Sequence, residues 1–420
     1  MRVFHSALWL VFVFVAHAAT DLTEFFPRGG TPNFLAKAKS TDQVRIAYFG
    51  GSITAADGWR PGTLRWFQQR FPKAKFSEIN AAIGGTGSDL GVFRLQHDVL
   101  DFKPDMMFVE FAVNDGGASR ENIHRHMEGI VRQTWRAFPE CDIIFVYTIA
   151  GNMLETTQSG RLPRSVAAME ELAEHYSIPS INFGLEVARL EREGKLIFKG
   201  AKPTNDTQRA ALEGKMLFST DGVHPLADTG HELYRQSVAR AFERLAEGPV
   251  MPVMHSLGPP LRSDNAENAR MVAITPSMLK GRWQSLGPTN SLAKSFGKRV
   301  PTLWHAKQHG DSLQFKFRGT TAMIYDLLGP DCGQVRVTLD GKSQITPRFD
   351  SFSTYHRLAT LFVGSNLSNT THEVTLSVDA TPFDKAKILA QRNEKMEPPA
   401  RFVGTNWFVG AILLDGEIVP

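Results

Sequence analysis

The chain has 420 residues, of which 42% are hydrophobic and 21% are charged, and its formal net charge at pH 7 is only +4. These proportions are ordinary for a soluble globular protein, and at roughly 150 residues per domain the length predicts two or three domains. Because the lysines and arginines form no cluster, nothing indicates nucleic-acid binding, and the composition excludes a disordered, collagen-like or multispanning membrane protein.

The N-terminal segment has the order of a secretory signal peptide. A basic residue, Arg2, precedes the apolar run from Ala7 to Val15, and residues 16–18 (Ala-His-Ala) are typical of a signal-peptide cleavage site. The apolar run is too short for a membrane-spanning helix, which needs about 20 residues. We therefore expect residues 1–18 to be removed, the mature chain to have no membrane span, and the protein to be secreted or periplasmic.

After an N-terminal extension, residues 19–43, short apolar runs alternate with helical patterns as far as residue 247. The predicted strands are 44–49, 77–82, 106–113, 143–149 and 180–183. The predicted helices are 62–71, 120–138, 164–175 and 233–245. Strands that alternate with helices imply right-handed crossovers and a parallel sheet covered by helices on both faces. We therefore predict an α/β domain over residues 44–247.

The second half of the chain has a different pattern. Glycine and proline cluster in residues 248–260, which predicts a linker over residues 248–262. Beyond it the chain has short strand-like runs without long helices, and the pairs Asp340-Gly341 and Asp415-Gly416 are hairpin signals. This pattern predicts a β-sandwich, or jelly-roll-like, domain over residues 263–420.

Polar segments lie where the predicted parallel strands end, which is where open parallel sheets form their sites. Three of these segments follow strands, and a fourth precedes the last helix: residues 50–54 (GGSIT), 82–87 (AIGGTG), 113–117 (VNDGG) and 221–225 (DGVHP). They offer Ser52 as a nucleophile, His224 as its base and Asp221 to orient the histidine, while the glycine-rich turns expose backbone N–H groups to an anion. These residue types point to a hydrolase.

In this order the four segments resemble the sequence blocks of the SGNH (GDSL-type) hydrolase superfamily, over residues 44 to about 247. The resemblance implies a flavodoxin-like fold and a catalytic triad of Ser52, His224 and Asp221. It also implies an oxyanion hole made by the backbone N–H of Ser52, by Gly85 and by Asn114, and it implies no metal or cofactor. With its signal peptide and trailing β domain, the chain resembles secreted carbohydrate O-acetylesterases.

The first block departs from the motif that names the family. It reads G-G-S-I-T, so Gly51 stands where the motif G-D-S-L has aspartate. That aspartate is not one of the family's four catalytic residues, so the roles implied for the other blocks do not change. The departure moves the chain away from the best-known lipolytic branch of the family.

Each candidate residue also has a structural interpretation. Ser52 could cap the helix that follows it, Gly85 could serve only a tight turn, and Asn114 could be an ordinary turn residue. Trp59 and Arg60 follow the nucleophile closely, which makes them candidates to line a substrate pocket.

Other polar residues of this half are expected to be structural. Glu110 lies in an apolar predicted strand, where a buried carboxylate needs a partner, and Arg94 is the candidate partner. His124 and His126 lie in a predicted helix, where side chains two residues apart diverge, so we expect no metal site there. Cys141 is expected to be a buried free thiol.

The expected activity is the hydrolysis of short acyl esters, above all O-acetyl groups on a polysaccharide or oligosaccharide, through an acyl-enzyme on Ser52. The alternatives are a lipolytic or aryl esterase, a polysaccharide O-acetyltransferase, and a carbohydrate-binding protein whose SGNH half is inactive. The complete set of catalytic residue types argues against the last. Aromatic residues of the β half are candidates for stacking on sugars: Trp304, Tyr325, Tyr355 and Trp407.

Overall fold

The computed structural model describes residues 22–40, 42–247 and 250–420. The predicted signal peptide, residues 1–18, lies outside these ranges. Within them, no helix combines the length and the apolar character that crossing a membrane requires.

The N-terminal half alternates strands and helices. Its strands are β1 (Phe25–Phe26), β2 (Gln43–Gly50), β3 (Lys75–Asn80), β4 (Met106–Glu110), β5 (Asp142–Tyr147), β6 (Ser180–Asn182), β7 (Leu196–Lys199) and β8 (Met216–Ser219). Its helices are α1 (Pro32–Ala38), α2 (Ser52–Ala55), α3 (Trp59–Arg70), α4 (Ser88–Asp98), α5 (Arg120–Ala137), α6 (Gly151–Gln158), α7 (Arg164–His175), α8 (Phe183–Arg192), α9 (Asp206–Ala210) and α10 (Gly230–Ala246).

These strands form a sheet in the order β1-β6-β5-β4-β2-β3, in which β2 to β6 are parallel and β1 is antiparallel to β6. Without β1, this is the flavodoxin-like strand order. The central strands β4 and β5 are buried along their whole length, as expected where helices cover both faces. The predicted α/β domain with a parallel sheet is therefore confirmed.

The elements differ from the predicted ones in several places, and two of these differences lie near the polar segments. Strand β4 ends at Glu110 rather than at Val113, because residues 111–113 leave the sheet to enter the turn at Asn114. Helix α4 was not predicted, and it contains Gly91, a residue that favours other structures. A β-carbon at Gly91 would lie 2.9 Å from the ring of Phe111, so close packing explains the glycine.

The C-terminal half is built from antiparallel strands. They are β9 (Ala269–Val272), β10 (Leu279–Lys280), β11 (Gln284–Ser285), β12 (Trp304–Ala306), β13 (Ser312–Leu328), β14 (Gln334–Leu339), β15 (Lys342–Pro347), β16 (Arg357–Gly364), β17 (Thr370–Asp379) and β18 (Trp407–Val419). Two short helices accompany them, α11 (Ser291–Phe296) and α12 (Lys385–Ala390). The predicted β domain is confirmed.

The long strand β13 connects the parts of this domain. Residues 312–319 pair with β17 and residues 322–328 pair with β16, while β18 pairs along much of its length. The strands are thus connected by hydrogen bonds into one continuous network through β13.

The two predicted hairpin signals have different outcomes. Asp340 and Gly341 have φ values of 48° and 80° and join β14 to β15 in a hairpin, as predicted. Asp415 and Gly416 lie inside β18, so the prediction of a hairpin there is wrong. A β-carbon on Gly416 would overlap the backbone of β13, so this glycine permits a close approach of two strands.

The two domains share one hydrophobic core. Along β18, Ala411 and Leu413 pack with the core of the N-terminal domain, while Ile412 and Leu414 face the interior of the β domain. Strand β13 alternates in the same way, and Tyr325 belongs to the shared core. The central β strands are therefore covered on both faces, one of them by the N-terminal domain.

The segment predicted as a linker is attached to the N-terminal domain by hydrogen bonds. The backbone of Val253 exchanges two hydrogen bonds of 2.9 Å with the side chain of Asn33, and His255 Nε2 lies 2.8 Å from Asp142 Oδ1. Further along, the backbone N–H of Ala266 donates to the carbonyl of Arg125 at 3.0 Å. Residues 250–266 thus run along the N-terminal domain and are fixed to it.

Because the core is shared, we expect the domains to unfold together. Leu413→Ala removes a fully buried side chain from the shared core and should lower the free energy of unfolding by about 2–5 kcal/mol. Calorimetry should show a single transition for the native chain and, at a lower temperature, for the variant. Two resolved transitions, with only one of them shifted by Leu413→Ala, would show that the domains are independent.

Candidate active site

Three side chains from distant parts of the chain form a hydrogen-bonded series at the carboxyl edge of the sheet. Ser52 Oγ lies 2.8 Å from His224 Nε2, and His224 Nδ1 lies 2.6 Å from Asp221 Oδ2. Since a carboxylate only accepts, Nδ1 carries a proton and Nε2 is free to accept one from the serine hydroxyl. The structure thus brings together the three residues predicted as a triad, with the histidine in the tautomer that a general base requires.

A tight turn after β8 holds Asp221 in place. Its Oδ1 accepts hydrogen bonds from the backbone N–H groups of Val223 and His224, both at 2.8 Å, and from the hydroxyl of Ser219 at 2.9 Å. Burial alone would raise the pKa of Asp221, but the hydrogen bonds from His224, Val223 and Ser219 outweigh it and hold this pKa well below its usual range. Asp221 therefore remains a carboxylate beside the imidazole.

The nucleophile turn places Ser52 at the start of α2. Strand β2 ends at Gly50, Gly51 is the N-cap residue, and the helix makes no side-chain capping hydrogen bond. The interpretation of Ser52 as a helix cap is therefore wrong, because its hydroxyl bonds to His224 instead.

A buried carboxylate braces this turn from below. Glu110, at the end of β4, is fully buried and accepts hydrogen bonds from the hydroxyls of Thr54 at 2.8 Å and Thr148 at 2.6 Å, and from the backbone of Gly51. Burial raises the pKa of Glu110 to about 7, in spite of these three hydrogen bonds and with a small further contribution from Asp115. Glu110 thus ties both sides of the nucleophile turn to the end of the sheet.

A glycine turn after β3 lies beside Ser52. A β-carbon added to Gly84 would lie 3.6 Å from Ser52 Cβ, so this turn lies next to the nucleophile. Gly85 has a φ of 73°, a conformation that favours glycine, and the Thr86 hydroxyl closes the turn by donating to the Ile83 carbonyl at 2.8 Å. Gly85 therefore serves this tight turn, and its role as an oxyanion donor stays a prediction.

The side chain of Asn114 lies against Gly51, the residue that precedes the nucleophile. A β-carbon on Gly51 would overlap Asn114 Oδ1, so the absence of a side chain at position 51 makes room for this amide. The adjacent Asp115 is buried and accepts from the backbone N–H of Ser88 at 3.0 Å, which anchors the turn to α4. The glycine that stands at position 51 in place of the motif's aspartate therefore leaves the space that the Asn114 side chain occupies.

Trp59 and Arg60 do not line a pocket. Trp59 has no exposed surface and packs edge-on against the rings of Tyr48 and Phe108 at 5.4 and 5.5 Å. Arg60 is also buried, and its guanidinium donates to the Thr54 carbonyl at 3.2 Å. Because α3 turns this end into the core, both residues support the site from inside the domain, and the prediction that they contact substrate is wrong.

Arg94 is not the partner of Glu110. Its guanidinium donates to Asp98 Oδ2 at 2.8 Å, to the Ala81 carbonyl at 2.5 Å and to the Gly50 carbonyl at 3.4 Å. The pairing was missed because α4 was not predicted, and Arg94 and Asp98 are neighbours only on a helix. The partners of Glu110 are uncharged hydroxyls and a backbone N–H.

The aromatic residues proposed for sugar stacking fall into two groups. Tyr325 and Trp407 have no exposed surface and belong to the core, so they cannot stack on a sugar. Trp304 is half-buried in β12, and Tyr355 is 56% exposed. Only the last two remain candidates.

One group of potential metal ligands occurs within the described ranges, and it lies in the β domain. It comprises Asp331, Cys332 and His356, whose ligand atoms lie within 4.8 Å of one another. Cys332 is buried, and this burial raises the pKa of its thiol well above its ordinary value. His356 Nε2 already bonds to Asp331 Oδ1 at 2.7 Å. Cys332 is a free thiol, as is Cys141, which is buried as expected.

The raised pKa of Glu110 predicts a pH dependence of stability. A carboxyl group whose pKa rises on folding from 4.5 to about 7 stabilises the fold fully below the lower value and loses this contribution as the pH rises through the higher one. Glu110→Gln stays neutral and can keep the three hydrogen bonds, since the Thr148 hydroxyl can also accept. Urea unfolding should show the variant gaining stability relative to the native protein between pH 5 and pH 8, by at most about 3 kcal/mol.

The exposed carboxylate of Glu243 provides the matched control. For Glu243→Gln, the difference in the free energy of unfolding from the native protein should stay nearly constant across the same pH range. A constant difference for Glu110→Gln as well would contradict the raised pKa of Glu110.

Residues 48–233 match the model of the GDSL-like lipase/acylhydrolase family, a range that contains Ser52, Asn114 and His224. No curated protein matches the chain significantly.

Among solved structures, a two-domain esterase active on acetylated mannans superposes with a TM-score of 0.68 at 18% identity, over 91% of this chain and 94% of that one. The same kind of enzyme co-crystallised with mannopentaose gives a TM-score of 0.66 at 18% identity, over 92% and 94%. At this identity the likeness shows the fold, and it extends through both domains. Residues 48–233 are therefore a domain of the GDSL-like lipase/acylhydrolase family, and this chain is a carboxylic ester hydrolase.

Proposed function

We propose that the protein is a secreted serine esterase that removes acetyl groups from a polysaccharide or oligosaccharide, with Ser52 as the nucleophile. The observation that carries the proposal is the hydrogen-bonded series Ser52–His224–Asp221, set beside the glycine turn and the amide of Asn114. An inactive carbohydrate-binding domain would have no need to keep this series in working geometry.

In the first half of the proposed reaction, Ser52 Oγ attacks the ester carbonyl while His224 Nε2 takes the hydroxyl proton. The carbonyl oxygen becomes an oxyanion, which the backbone N–H groups of Ser52 and Gly85 and the amide of Asn114 stabilise. Asp221 stabilises the imidazolium without taking its proton. The intermediate collapses, the C–O bond to the sugar breaks, and the departing sugar oxygen receives the proton from His224.

In the second half, water replaces the sugar. His224 takes a proton from this water as it attacks the acetyl-Ser52 carbonyl, and the same donors stabilise the second oxyanion. Collapse releases acetic acid, and the serine oxygen regains its proton from His224. Every proton that moves is carried by one imidazole, so the reaction requires only residues of this chain.

The exposure of the site supports a bulky substrate with a small acyl group. The side chains of Asp221 and His224 are 50% and 52% exposed, so the triad lies at the open edge of the sheet. A polymer can reach such a site without entering a tunnel, whereas a long acyl chain gains affinity only where an apolar groove buries it. The fold of an esterase active on acetylated mannans supports the same substrate class. The N-terminal sequence pattern supports secretion.

Activity on a panel of esters tests this proposal. Acetate should be released from acetylated mannan or xylan, and nitrophenyl esters should be hydrolysed more slowly as the chain lengthens from acetyl to octanoyl. Each methylene that the site cannot bury forfeits about 0.8 kcal/mol of binding. Faster hydrolysis of octanoyl than of acetyl esters would instead indicate a lipolytic enzyme.

The control for this panel is Ser52→Ala, which should lower kcat by at least about 10³-fold because no acyl-enzyme can form. A serine-directed fluorophosphonate should label the native protein and not the variant. Full activity in Ser52→Ala would exclude the proposed mechanism. If acetyl groups were instead transferred to added sugar hydroxyls faster than to water, the enzyme would be an acetyltransferase.

A second prediction concerns Gly51. Its φ of −91° is accessible to alanine, but the β-carbon of Gly51→Ala would overlap Asn114 Oδ1, so the amide must rotate away. Because a single flexible side chain moves, the melting temperature should stay nearly unchanged. Loss of the amide from the oxyanion should lower kcat by about 10²-fold.

A double-variant cycle identifies the cause of this loss. If Gly51→Ala acts through Asn114, the variant Gly51→Ala/Asn114→Ala should be no slower than Asn114→Ala alone. Losses that multiply in the double variant would show that Gly51 acts by another route.

A further inference from the structure

A chain of charged side chains links the β domain to the glycine turn beside the nucleophile. Arg299, which follows α11, has a partly buried side chain with 29% exposure. Its Nη2 donates to the carbonyl of Ala82 at 3.3 Å, and its Nη1 lies 4.0 Å from Asp98 Oδ2. The contact with Ala82 brings the second domain to a position two residues before Gly84.

The same carboxylate holds a second arginine. Asp98 Oδ2 accepts from Arg94 Nη1 at 2.8 Å, and both of these side chains are almost completely buried. The guanidinium of Arg94 also donates to the Ala81 carbonyl at 2.5 Å and to the Gly50 carbonyl at 3.4 Å, and it lies 4.5 Å from the ring centre of Phe49. Arg94 therefore ties the end of β2 to the segment after β3.

Two adjacent carbonyls are thus held by two guanidinium groups from different domains, Ala81 by Arg94 and Ala82 by Arg299. The next residue, Ile83, donates its N–H to the Gly50 carbonyl at 3.0 Å, and its own carbonyl accepts from the Thr86 hydroxyl. The glycine turn follows directly from this clamped segment. We therefore expect a displacement at residues 81–82 to move the glycine turn, which lies next to Ser52.

We propose that Arg299 is a positioning residue for the reaction, through which the β domain fixes the glycine turn relative to Ser52. The inference rests on the proposed function of Ser52 and Gly85, and it adds a role for the second domain in catalysis. The side-chain partners of Arg299 are the Ala82 carbonyl and Asp98, and not a residue of the triad. Any effect of Arg299 on the reaction therefore passes through these two groups.

The expected signature is a loss in kcat rather than in stability. An oxyanion donor works only when it lies about 2.7–3.1 Å from the developing charge, and removing one costs about 10²–10³-fold. Arg299→Ala leaves the donor present but less well restrained, so we expect a smaller fall in kcat, about 5- to 20-fold. KM and the melting temperature should change little, since the side chain lies at the surface of the interface.

Another interdomain ion pair provides the matched control. Arg125 on α5 pairs with Asp415 on β18 at 2.8 Å, without contact to the glycine turn. Arg125→Ala should therefore lower the melting temperature and leave kcat unchanged. Arg299→Lys keeps a positive charge and a donor, so it should recover part of the kcat that Arg299→Ala loses.

The experiment measures kcat, KM and melting temperature for the three variants with an acetyl nitrophenyl ester, together with amide hydrogen exchange in peptides that cover residues 81–88. Faster exchange in these peptides for Arg299→Ala, together with the selective fall in kcat, would support the proposal. Unchanged exchange and unchanged kcat would overturn it, as would a fall in kcat matched by Arg125→Ala. Exchange reports on the turn even in a protein without esterase activity, so failure of the proposed function is detected separately, by the activity of Ser52→Ala.

Discussion

Strands β2 and β4 lie side by side in a register that pairs Gly50 with Glu110, and the geometry of the site depends on this register. Because the strands are parallel and end level with each other, the turns that follow them meet at one edge. One turn carries Ser52 and the other carries Asn114. The same register places the carboxylate of Glu110 beneath the nucleophile turn, where a shift of one residue would point it to the opposite face.

The two carboxyl groups at this edge, Glu110 and Asp221, differ in how their charge is compensated. Glu110 has only hydroxyl and amide partners, and its raised pKa reflects the cost of removing a carboxylate from water. Asp221 is half-exposed and well hydrogen-bonded, which favours its ionised form. Asp221 is thus kept ionised, which stabilises an imidazolium at His224. Glu110 is more readily protonated, which lowers the cost of burying its carboxyl group under the nucleophile turn.

The β domain is part of the same structural unit. Its strands β13 and β18 turn one face towards the N-terminal domain, and the segment from Val250 to Ala266 is hydrogen-bonded along that domain. Arg299 extends this interface to the glycine turn. The second domain can therefore affect the reaction without contributing a reacting group. Two domains that were joined only by a flexible linker could not interact in this way.

The sequence predicted those features that depend on local pattern and on the rules of parallel sheets. The order of strands and helices, the change to a β domain, and the meeting of Ser52, Asp221 and His224 all follow from short segments read in order. The burial of Trp59 and Arg60 could not be predicted, because two adjacent residues at the start of a helix do not show which face of that helix packs against the core. The contact of Arg299 with Ala82 could not be predicted either, since no local pattern relates residues 217 positions apart.

If Ser52 is the nucleophile, an acyl-enzyme forms during turnover and can be trapped. The enzyme should be mixed with excess acetyl ester, quenched in acid within the first turnovers, and digested for mass spectrometry. We expect one acetyl group on the peptide that contains Ser52, and we expect it to disappear from a sample that is chased with buffer before the quench. An acetyl group on another residue, or rapid ester hydrolysis in His224→Ala equal to that of the native protein, would contradict the proposed mechanism.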